Sequence, residues 1–452
     1  MAEHGPAINV LDYETGHHFS NLIMARDSHP FELHYGMFLP TLRGQGTDEQ
    51  QEKWIPLALI RAIVGTYAQT ELGHGTNLRK LEVTSTYDPK TQEFVLHSPT
   101  VTATKWWPGG LGKTSNYAIV VAQLWTLGKC YGPHPFLVQL RDLETHQPLP
   151  GIKLGDIGPK LGFNANDNGF LIFDHLRIPR DQMLMRHAQV LPNGEYVKPA
   201  HSKLGYGTMV YVRSMMIGDQ GLQLGIAATI AIRYSAIRRQ GEMVEGQGEV
   251  KVLDYQTQQY RIFPQMAKAY AYIFASTKVR DMYTKNMKLM KSGNVSLLPE
   301  LHALSSGLKA VVTWEVAQGI EQCRLACGGH GFSQASGFPE LYAQTVAGCT
   351  YEGENIVLLL QVSKFLVKAA RQVRSGEAAL LAEVAEYLGV VGANRSTFSQ
   401  SQNFSDKIVI EAFEHVARRL VFSALDKLDH LRGEGVGPEE AWNRTSVELC
   451  KA

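Results

Sequence analysis

The chain has 452 residues, of which 44% are hydrophobic and 19% are charged. This composition supplies enough apolar side chains for a large buried core and argues against wholesale disorder. Lysine and arginine together number 44 and aspartate and glutamate 43, which gives a net charge of +1. So nearly neutral a chain lacks the positive field of a protein that binds nucleic acid or anionic membranes. An anionic ligand must therefore be held by a local pocket.

The cysteines and the termini bear on the compartment. Five cysteines occur without a CxxC pair, so we expect a reducing or redox-neutral compartment, no disulfide framework and no zinc ribbon. The N-terminus lacks the features of a secretory signal. The longest uninterrupted apolar run, residues 356–360, is far shorter than the roughly 18 residues of a membrane span, so none is expected. The C-terminal residues 449–452 are not the Ser-Lys-Leu peroxisomal signal.

Within residues 1–190 the periodicity of the apolar residues changes from helical to strand-like. Residues 1–64 have mainly helical periodicity, and Thr47 with Gln50 three residues later is typical of a capped helix start. Over residues 65–190 the period becomes two, and turn signals separate short apolar runs, which favours an antiparallel β-barrel or sandwich. The alternating positions are Leu81, Val83, Ser85, Phe94, Leu96, Phe136, Val138 and Leu140.

Helical periodicity returns from about residue 206 to the C-terminus, with residues such as Leu222, Ile226 and Ile230 on one stripe. A polar segment at 241–249 is predicted to be a loop between two long helices, and a second polar break covers 392–406. The sequence thus predicts an α+β protein in four segments. They are a partial N-terminal helical domain (1–64), a β-barrel domain (65–190), a helical domain (200–374) and a partial second helical domain (375–452).

The most informative motif covers residues 348–355 and reads Gly-Cys-Thr-Tyr-Glu-Gly-Glu-Asn. Glu352 stands between an aromatic residue and a glycine just before an apolar helix, where a carboxylate can project into a cleft as a general base. Burial against Tyr351 would raise the pKa of such a carboxylate. From composition alone, a second interpretation is favoured: Glu352 and Glu354 are first-turn acids that complement the helix dipole.

Two glycine-rich blocks could approach a phosphate or a planar ring. The block at 327–332 (Cys-Gly-Gly-His-Gly-Phe) offers backbone N–H groups, although a tight helix-to-loop turn has the same composition. The block at 106–114 ends Gly-Lys-Thr, but Trp107 stands where a P-loop requires glycine, so an NTPase site is rejected. Trp106 and Trp107 are either a wall for a planar ligand or a buried aromatic cluster.

Two further segments have polar groups at predicted element ends. Residues 65–75 bring hydroxyl, amide and glycine groups to the end of a strand, which suits either a polar heterocycle or a capped turn. Arg238, on a predicted helix, could pair with a phosphate or belong to a solvated face. Neither HExxH nor GxSxG occurs, so the sequence predicts no metal site and no serine hydrolase.

In this order the blocks resemble those of the peroxisomal acyl-CoA oxidases, which have the acyl-CoA dehydrogenase fold. The resemblance extends from about Gly36 to the C-terminus and implies N-terminal helices, a central β-barrel and C-terminal helices. It is carried by Thr66-Tyr67-Ala68-Gln69-Thr70-Glu71, Lys105-Trp106-Trp107-Pro108-Gly109-Gly110, Gln256-Thr257-Gln258-Gln259-Tyr260, Cys327-Gly328-Gly329-His330-Gly331 and Tyr351-Glu352-Gly353-Glu354-Asn355.

The resemblance also implies roles by position. Glu352 matches the catalytic base of the family. Thr70 and Gly109 match residues that contact FAD. Arg238 and the loop with Gly328, Gly329 and Gly331 are similar to contacts with the FAD of a neighbouring subunit, so a homodimer is implied.

The implied reaction is the oxidation of a fatty acyl-CoA. Glu352 would remove the α-proton, the β-hydride would pass to FAD, and trans-2-enoyl-CoA would form. Dioxygen would then accept the electrons as hydrogen peroxide. Hydrogen bonds to the thioester carbonyl acidify the α-carbon, and the backbone N–H of the base is one donor that the resemblance implies.

The sequence also departs from the family pattern. Much of the N-terminal domain before Gly36 and part of the last helical domain are expected to be missing, residues 1–28 match nothing, and Asn77 replaces an expected histidine. The family is peroxisomal, yet the terminal signal is absent, which leaves a cytoplasmic location open. These departures keep two alternatives open: a non-catalytic acyl-CoA or FAD-binding partner of a complete oxidase, and a dehydrogenase that uses a carrier flavoprotein.

Overall fold

The computed structural model describes residues 31–199, 207–390 and 405–452. The chain divides into two compact units. Unit 1 comprises Met1–Val212, Ile226–Ile262 and Ile320–Ala347, and unit 2 comprises Arg213–Gly225, Phe263–Gly319 and Gly348–Ala452. The four domains predicted from the sequence remain a prediction, because they follow changes in the periodicity of apolar residues and not contacts between residues.

Unit 1 begins with helices. A π-helical stretch, His34–Phe38, leads into α1 (Leu39–Gln45), and α2 follows at Asp48–Leu59. The capping prediction is confirmed, because the Thr47 side chain accepts from the Gln50 N–H and the Gln50 side chain accepts from the Thr47 N–H.

The β-region of unit 1 forms three sheets among the described residues. The strands are β1 (Gly65–Ala68), β2 (Thr84–Asp88), β3 (Glu93–His97), β4 (Lys105–Trp106), β5 (Tyr117–Thr126), β6 (Lys129–Gln139), β7 (Ile152–Asp156), β8 (Gly169–Phe173), β9 (Leu176–Pro179), β10 (Gln189–Val190) and β11 (Tyr196–Val197). The largest sheet has six strands in the order β1-β5-β2-β3-β9, with β6 also paired to β5. The second sheet consists of β4, β8 and β7, and the third of β10 and β11.

The large sheet is mixed, which corrects the prediction of a purely antiparallel barrel. β5 pairs parallel to both β1 and β2 and antiparallel to β6. Alternating apolar residues reveal which face of a strand is buried, but they carry no information on the direction of its neighbour. The period of two itself is confirmed, because all eight alternating positions singled out in the sequence are buried.

β5 explains how the helices attach to this sheet. Its residues alternate between two apolar clusters, with Ala118 and Val120 in the strand core and Tyr117 and Ile119 against the N-terminal helices. A strand buried on both faces is a continuous apolar run, as 117–122 is in this sequence. One strand therefore fixes both layers of unit 1.

Helices make up the rest of the described chain. The predicted loop at 241–249 is confirmed, and part of the predicted break at 392–406 lies outside the described residues. The helices are α3 (Gly207–Ile237), α4 (Gln256–Lys291), α5 (Leu298–Ala326), α6 (Gly328–Phe332), α7 (Phe338–Thr345), α8 (Asn355–Arg374), α9 (Asp406–Gly433) and α10 (Pro438–Lys451).

α3 is long and apolar enough to pass a test for a membrane span, although the sequence has no long uninterrupted apolar run. Its segment Val210–Ile237 passes that test, with a mean hydropathy of 1.2 in an 18-residue window that is 50% buried. The sequence argument required an uninterrupted apolar run, whereas a window tolerates a few charges. Core helices pass the same test, so the finding is weak evidence for a membrane.

Gln50 joins α2 to the chain that follows β9. Its amide donates to the carbonyls of Asp181 and Met183, both at 2.6 Å, and its side-chain oxygen accepts from the Met185 N–H at 3.2 Å. Because buried backbone groups must be hydrogen-bonded, one nearly buried side chain holds this junction of unit 1.

Replacing Gln50 with alanine should lower the free energy of unfolding by about 2–4 kcal/mol, since several buried polar groups lose their partners. Chemical denaturation followed by circular dichroism measures the change. Glu52→Ala, at an exposed position of the same helix, is the control and should change little. Equal stabilities of the two variants would contradict the role given to Gln50.

Candidate active site

The Glu352 turn lies between a short 3₁₀ helix, Val346–Cys349, and α8. Glu352 has φ = 56° and Gly353 has φ = 104°, so two consecutive residues adopt left-handed backbone angles. A non-glycine residue there is strained and persists only when its surroundings enforce the conformation. At Gly353 a Cβ atom would lie 2.7 Å from a Leu358 methyl carbon, so only glycine fits.

The turn separates the two acids that the sequence left as alternatives. Glu354 is the N-cap of α8, and its carboxylate accepts from the Val357 N–H at 3.2 Å. The helix-dipole interpretation therefore applies to Glu354. Glu352 precedes the cap, and its side chain has another environment.

Two buried cations hold the main chain of this turn. Arg213 Nε donates to the Glu352 carbonyl at 2.9 Å, and Lys309 Nζ donates to the Gly353 carbonyl at 2.6 Å. Arg213 also donates to the Ser306 hydroxyl at 3.3 Å. All of these residues belong to unit 2. Consecutive carbonyl groups of the strained turn are thus fixed by charged donors, which form stronger hydrogen bonds than neutral ones.

The same cations shape the electrostatics of the carboxylate. Glu352 retains some exposed surface as a residue, yet protein surrounds its carboxyl group, and burial raises its pKa. The positive charges of Arg213 and Lys309 lower that pKa and offset part of the rise. Burial also lowers the pKa of Arg213, and it lowers that of Lys309 to about 8. Such a carboxylate can act as a base, because burial strengthens its affinity for a proton while the two cations limit the rise of its pKa.

Thr70 and Gly109, predicted to contact FAD, lie on neighbouring segments of unit 1. The Trp106 N–H donates to the Thr70 carbonyl at 3.0 Å, and the Thr66 hydroxyl donates to the Gly109 carbonyl at 2.7 Å. At Gly109 a Cβ atom would lie 2.6 Å from the Asn166 amide, so packing already requires glycine there. The end of β1 and the segment after β4 therefore form one continuous backbone surface.

The two tryptophans divide the alternatives that the sequence left open. Trp106 stacks on Phe170 with ring centroids 6.0 Å apart, whereas Trp107 is 53% exposed and has φ = 90°. Trp106 thus belongs to an aromatic cluster, and the indole of Trp107 is accessible to a planar ligand.

A buried ion pair supports this surface. Lys105 is 0% exposed and Glu71 is 2% exposed, and their charged atoms are 3.0 Å apart. Lys105 also donates to the carbonyls of Gln69 and Val121, while Glu71 accepts from the Glu82 and Val83 N–H groups. Because both charges are buried, each needs its partner.

The remaining predicted FAD contacts lie on helix ends of unit 1. Gln258 donates to the Ser235 hydroxyl and the Ala326 carbonyl, which joins the segments before Arg238 and Gly328. Arg238 is exposed and donates to the Gln240 side chain at 3.0 Å.

The three glycines at 328, 329 and 331 differ in how closely other atoms surround them. Gly328 and Gly329 are exposed, and an added Cβ would meet nothing within 4 Å. Gly331 would place its Cβ 2.1 Å from the Arg324 carbonyl oxygen, so its own packing requires glycine. Of these three glycines, Gly328 and Gly329 therefore have backbone that a ligand can approach, and Gly331 does not.

Sequence reasoning missed three residues that the structure places beside the predicted ones. Arg213 and Lys309 lie 139 and 43 positions before Glu352, too far for any spacing rule. Lys105 belongs to the motif at residues 105–110, but that motif does not indicate that its side chain is buried. A charged residue inside an apolar helical stripe was the available signal for Arg213 and Lys309.

Among the described residues, two groups of side chains bring together the donor atoms of a possible metal site. Motif spacing did not predict them, because the members of each group are not all neighbours in the chain. They are His97 with Asp174 and His175, and Glu71 with His74 and Glu82. Asp174 Oδ1 already lies 2.8 Å from His175 Nδ1, and the Glu71 carboxylate already forms an ion pair with Lys105.

Two family models match the chain. "Acyl-CoA oxidase, C-alpha1 domain" matches residues 206–367, and "Acyl-coenzyme A oxidase N-terminal" matches residues 3–64. The Caenorhabditis elegans acyl-coenzyme A oxidase acox-1.1 is 52% identical over 445 residues, which cover 98% of this chain and 66% of that protein. Rattus norvegicus peroxisomal acyl-coenzyme A oxidase 1 is 50% identical over 459 residues, covering 100% of this chain and 68% of that protein.

The chain belongs to the acyl-CoA oxidase family. Among solved structures, C. elegans acyl-CoA oxidase-1 complexed with FAD and ATP superposes with a TM-score of 0.94 at 51% identity, covering 98% of this chain and 66% of the other. Arabidopsis thaliana acyl-CoA oxidase 1 gives 0.87 at 43% identity, covering 98% and 71%. The resemblance seen in the motifs is thus confirmed, and the fold is that of acyl-CoA oxidases.

The comparisons correct one expectation about the N-terminal segment. Residues 3–64 match the N-terminal family domain, so the resemblance begins well before Gly36 and includes residues that matched no motif by eye. The chain spans about two thirds of the length of the curated acyl-CoA oxidases that it matches.

Lys105→Met should lower the free energy of unfolding by about 3–5 kcal/mol, because it leaves the Glu71 carboxylate buried without its cation. The double variant Glu71→Gln/Lys105→Met should be more stable than Lys105→Met alone. Denaturant titration of the three proteins measures both effects. Lys113→Met, whose side chain is 76% exposed, is the control. A double variant no more stable than the single one would rule out charge as the cause.

Proposed function

We propose that the chain is an FAD-dependent acyl-CoA oxidase that converts fatty acyl-CoA to trans-2-enoyl-CoA with dioxygen as electron acceptor, the first step of peroxisomal fatty acid β-oxidation. The observation that carries the proposal is the Glu352 carboxylate. It lies on a strained turn fixed by two cations, in a chain about half identical to acyl-CoA oxidases over nearly its whole length.

In this proposal Glu352 is the catalytic base. Its carboxylate removes the α-proton of the acyl-CoA, a task that suits a carboxylate whose pKa is raised by burial. The charges of Arg213 and Lys309 favour the ionised carboxylate and so limit the rise of its pKa. The backbone N–H of Glu352 is proposed to donate to the thioester carbonyl, which acidifies the α-carbon.

The residues present suit FAD. Thr70, Gly109 and the exposed indole of Trp107 would hold it within one chain, on the surface supported by Lys105. Arg238, Gly328, Gly329 and Gly331 would contact the FAD of a neighbouring subunit. When bound, FAD supplies the acceptor for the β-hydride and delivers the electrons to dioxygen as hydrogen peroxide. A C. elegans relative was crystallised with FAD.

The visible spectrum of the purified protein tests the proposal. Under anaerobic conditions, a long-chain acyl-CoA should bleach the flavin absorption, and air should restore it with release of hydrogen peroxide. Glu352→Gln should keep the flavin but slow the bleaching at least about 100-fold, because it preserves shape and removes the base. Glu354→Gln, two residues away at the helix cap, is the matched control and should retain most of the rate.

The other outcomes select the alternatives. Flavin that no acyl-CoA bleaches would favour a non-catalytic binding protein that partners a complete oxidase. Bleached flavin that air does not reoxidise would favour a dehydrogenase that needs a carrier. A protein without flavin would remove both enzyme hypotheses, and a fully active Glu352→Gln would mean that another residue is the base.

A homodimer is proposed on the same grounds, and exposed apolar residues of unit 1 support it. Ile237, next to Arg238, is 79% exposed, and Phe332, four residues after Gly328, is 78% exposed. Tyr260 on α4, two residues after Gln258, is 85% exposed. Large exposed apolar side chains are typical of subunit contacts. We propose a peroxisomal location from the named relatives.

Phe332→Glu should shift the protein from dimer to monomer, because a charge would be buried at the contact. Sedimentation velocity measures the shift, and flavin content should fall with it if the second subunit contributes to the FAD site. Leu127→Glu, at an exposed position in the turn after β5, is the control. A wild-type protein that sediments as a monomer at all accessible concentrations would reject the dimer.

A further inference from the structure

Lys309 is a buried ammonium whose hydrogen bonds go to neutral oxygens. Its side chain is 0% exposed in the middle of α5, and Nζ donates to the Gly353 carbonyl at 2.6 Å and to Asn355 Oδ1 at 3.0 Å. An ammonium in such a place costs free energy of desolvation, and an apolar side chain of equal length would avoid that cost. The position therefore calls for an explanation beyond packing.

The partners of Lys309 form a closed network. The Asn355 amide nitrogen donates to the Ala310 carbonyl and to the Thr313 hydroxyl, both at 3.0 Å. The Thr313 hydroxyl in turn lies 2.9 Å from the Lys309 carbonyl, to which it donates. Asn355, the first residue of α8, is thus tied to one turn of α5, and Lys309 extends the tie to Gly353, two residues earlier.

The Glu352 turn needs such restraints. Glu352 is a residue other than glycine in the strained left-handed region, so the turn would relax if its carbonyls lost their donors. Arg213 holds the carbonyl of Glu352, and Lys309 holds the next carbonyl along the chain. Relaxation at either bond would rotate the peptide that carries the carboxylate.

We propose that Lys309 is a positioning residue for Glu352: its ammonium fixes the Gly353 carbonyl and thereby the direction of the carboxylate, and its charge favours the ionised form. The inference rests on the proposed function, since it assigns Lys309 a role in the reaction of that same site. In this role Lys309 acts through Glu352 and contacts neither substrate nor FAD.

The charge effect has a definite sign. The titratable groups that face Lys309 are Cys349 from the 3₁₀ helix, Arg213 from α3, and Glu352 and Glu354 from the turn. Loss of the Lys309 charge leaves Arg213 as the cation that lowers the pKa of Glu352. The pKa of Glu352 must then rise, and the acidic limb of kcat/KM must move to higher pH.

Lys309→Met tests the proposal, because it keeps most of the length of the unbranched side chain and removes both donor and charge. We expect a kcat reduced roughly 10–100-fold, with little change in KM or flavin content, as for a misaligned base. The acidic limb should move up in pH. Lys309→Arg, which retains charge and donors, should leave the limb in place and recover part of the rate. Lys278→Met, an exposed lysine of α4, is the matched control.

A folded, flavin-loaded Lys309→Met with wild-type kcat and an unmoved acidic limb would overturn the proposal. Should Lys309→Met not fold, Lys309→Gln gives the decision, since it retains a donor and lacks the charge. A shifted acidic limb in that variant supports the charge effect, and an unmoved limb overturns it.

A second readout separates this inference from the proposed function. Hydrogen exchange of the peptide covering residues 346–358 should be faster in Lys309→Met than in the wild type, whatever the substrate. Wild-type protein inert to acyl-CoA, together with faster exchange in the variant, would reject the proposed function and keep the restraint by Lys309. Unchanged exchange would reject the restraint even if the wild type is an active oxidase.

Discussion

Two buried cations, Arg213 and Lys309, hold consecutive main-chain carbonyls of the turn that carries Glu352. The rest of unit 2 near this turn is arranged to keep them there. α3 and α5 deliver the cations, the Ser306 hydroxyl receives a second donor of Arg213, and Asn355 receives a second donor of Lys309. A turn with left-handed angles at a glutamate is otherwise unfavourable, so its shape depends on these tertiary bonds and not on local preference.

Unit 1 uses a related arrangement under the predicted flavin surface. Lys105 also donates to main-chain carbonyls next to a functional segment, but its ammonium contacts the Glu71 carboxylate directly. Burial lowers the pKa of each lysine to about 8. The difference lies in the counter-charge: Lys105 has a carboxylate in contact, whereas Lys309 and Arg213 have the more distant charge of Glu352. The charge of the candidate base is therefore part of what makes the two cations tolerable in unit 2.

Some of this was readable from the sequence, and the limits have physical causes. The capping pair Thr47 and Gln50, the buried alternation in β2, β3 and β6, and the family itself followed from local patterns. The parallel pairing of β5 did not, because alternation is the same for either strand direction. Nor did the partners of Glu352, because Arg213 and Lys309 come from two separate helices, α3 and α5, far from Glu352 in the chain. Composition alone did not separate Glu352 from Glu354, and the family resemblance singled out Glu352 as the expected base. The backbone angles of Glu352 and the cap bond of Glu354 now give the two acids different structural roles.

The electrostatics of the turn resolve a conflict that any buried base must meet. Burial raises the pKa of Glu352, and a carboxyl group that already holds a proton cannot accept another. Full solvation would leave it ionised but weakly basic. The two cations bind the main chain and not the carboxylate itself, so they lower the pKa through space without occupying the oxygens that must receive the proton. A direct ion pair, like that of Glu71 with Lys105, would stabilise the charge more strongly and suppress the basicity. In the proposed reaction, this separation of the positioning bonds from the carboxylate oxygens lets Glu352 be both fixed and reactive.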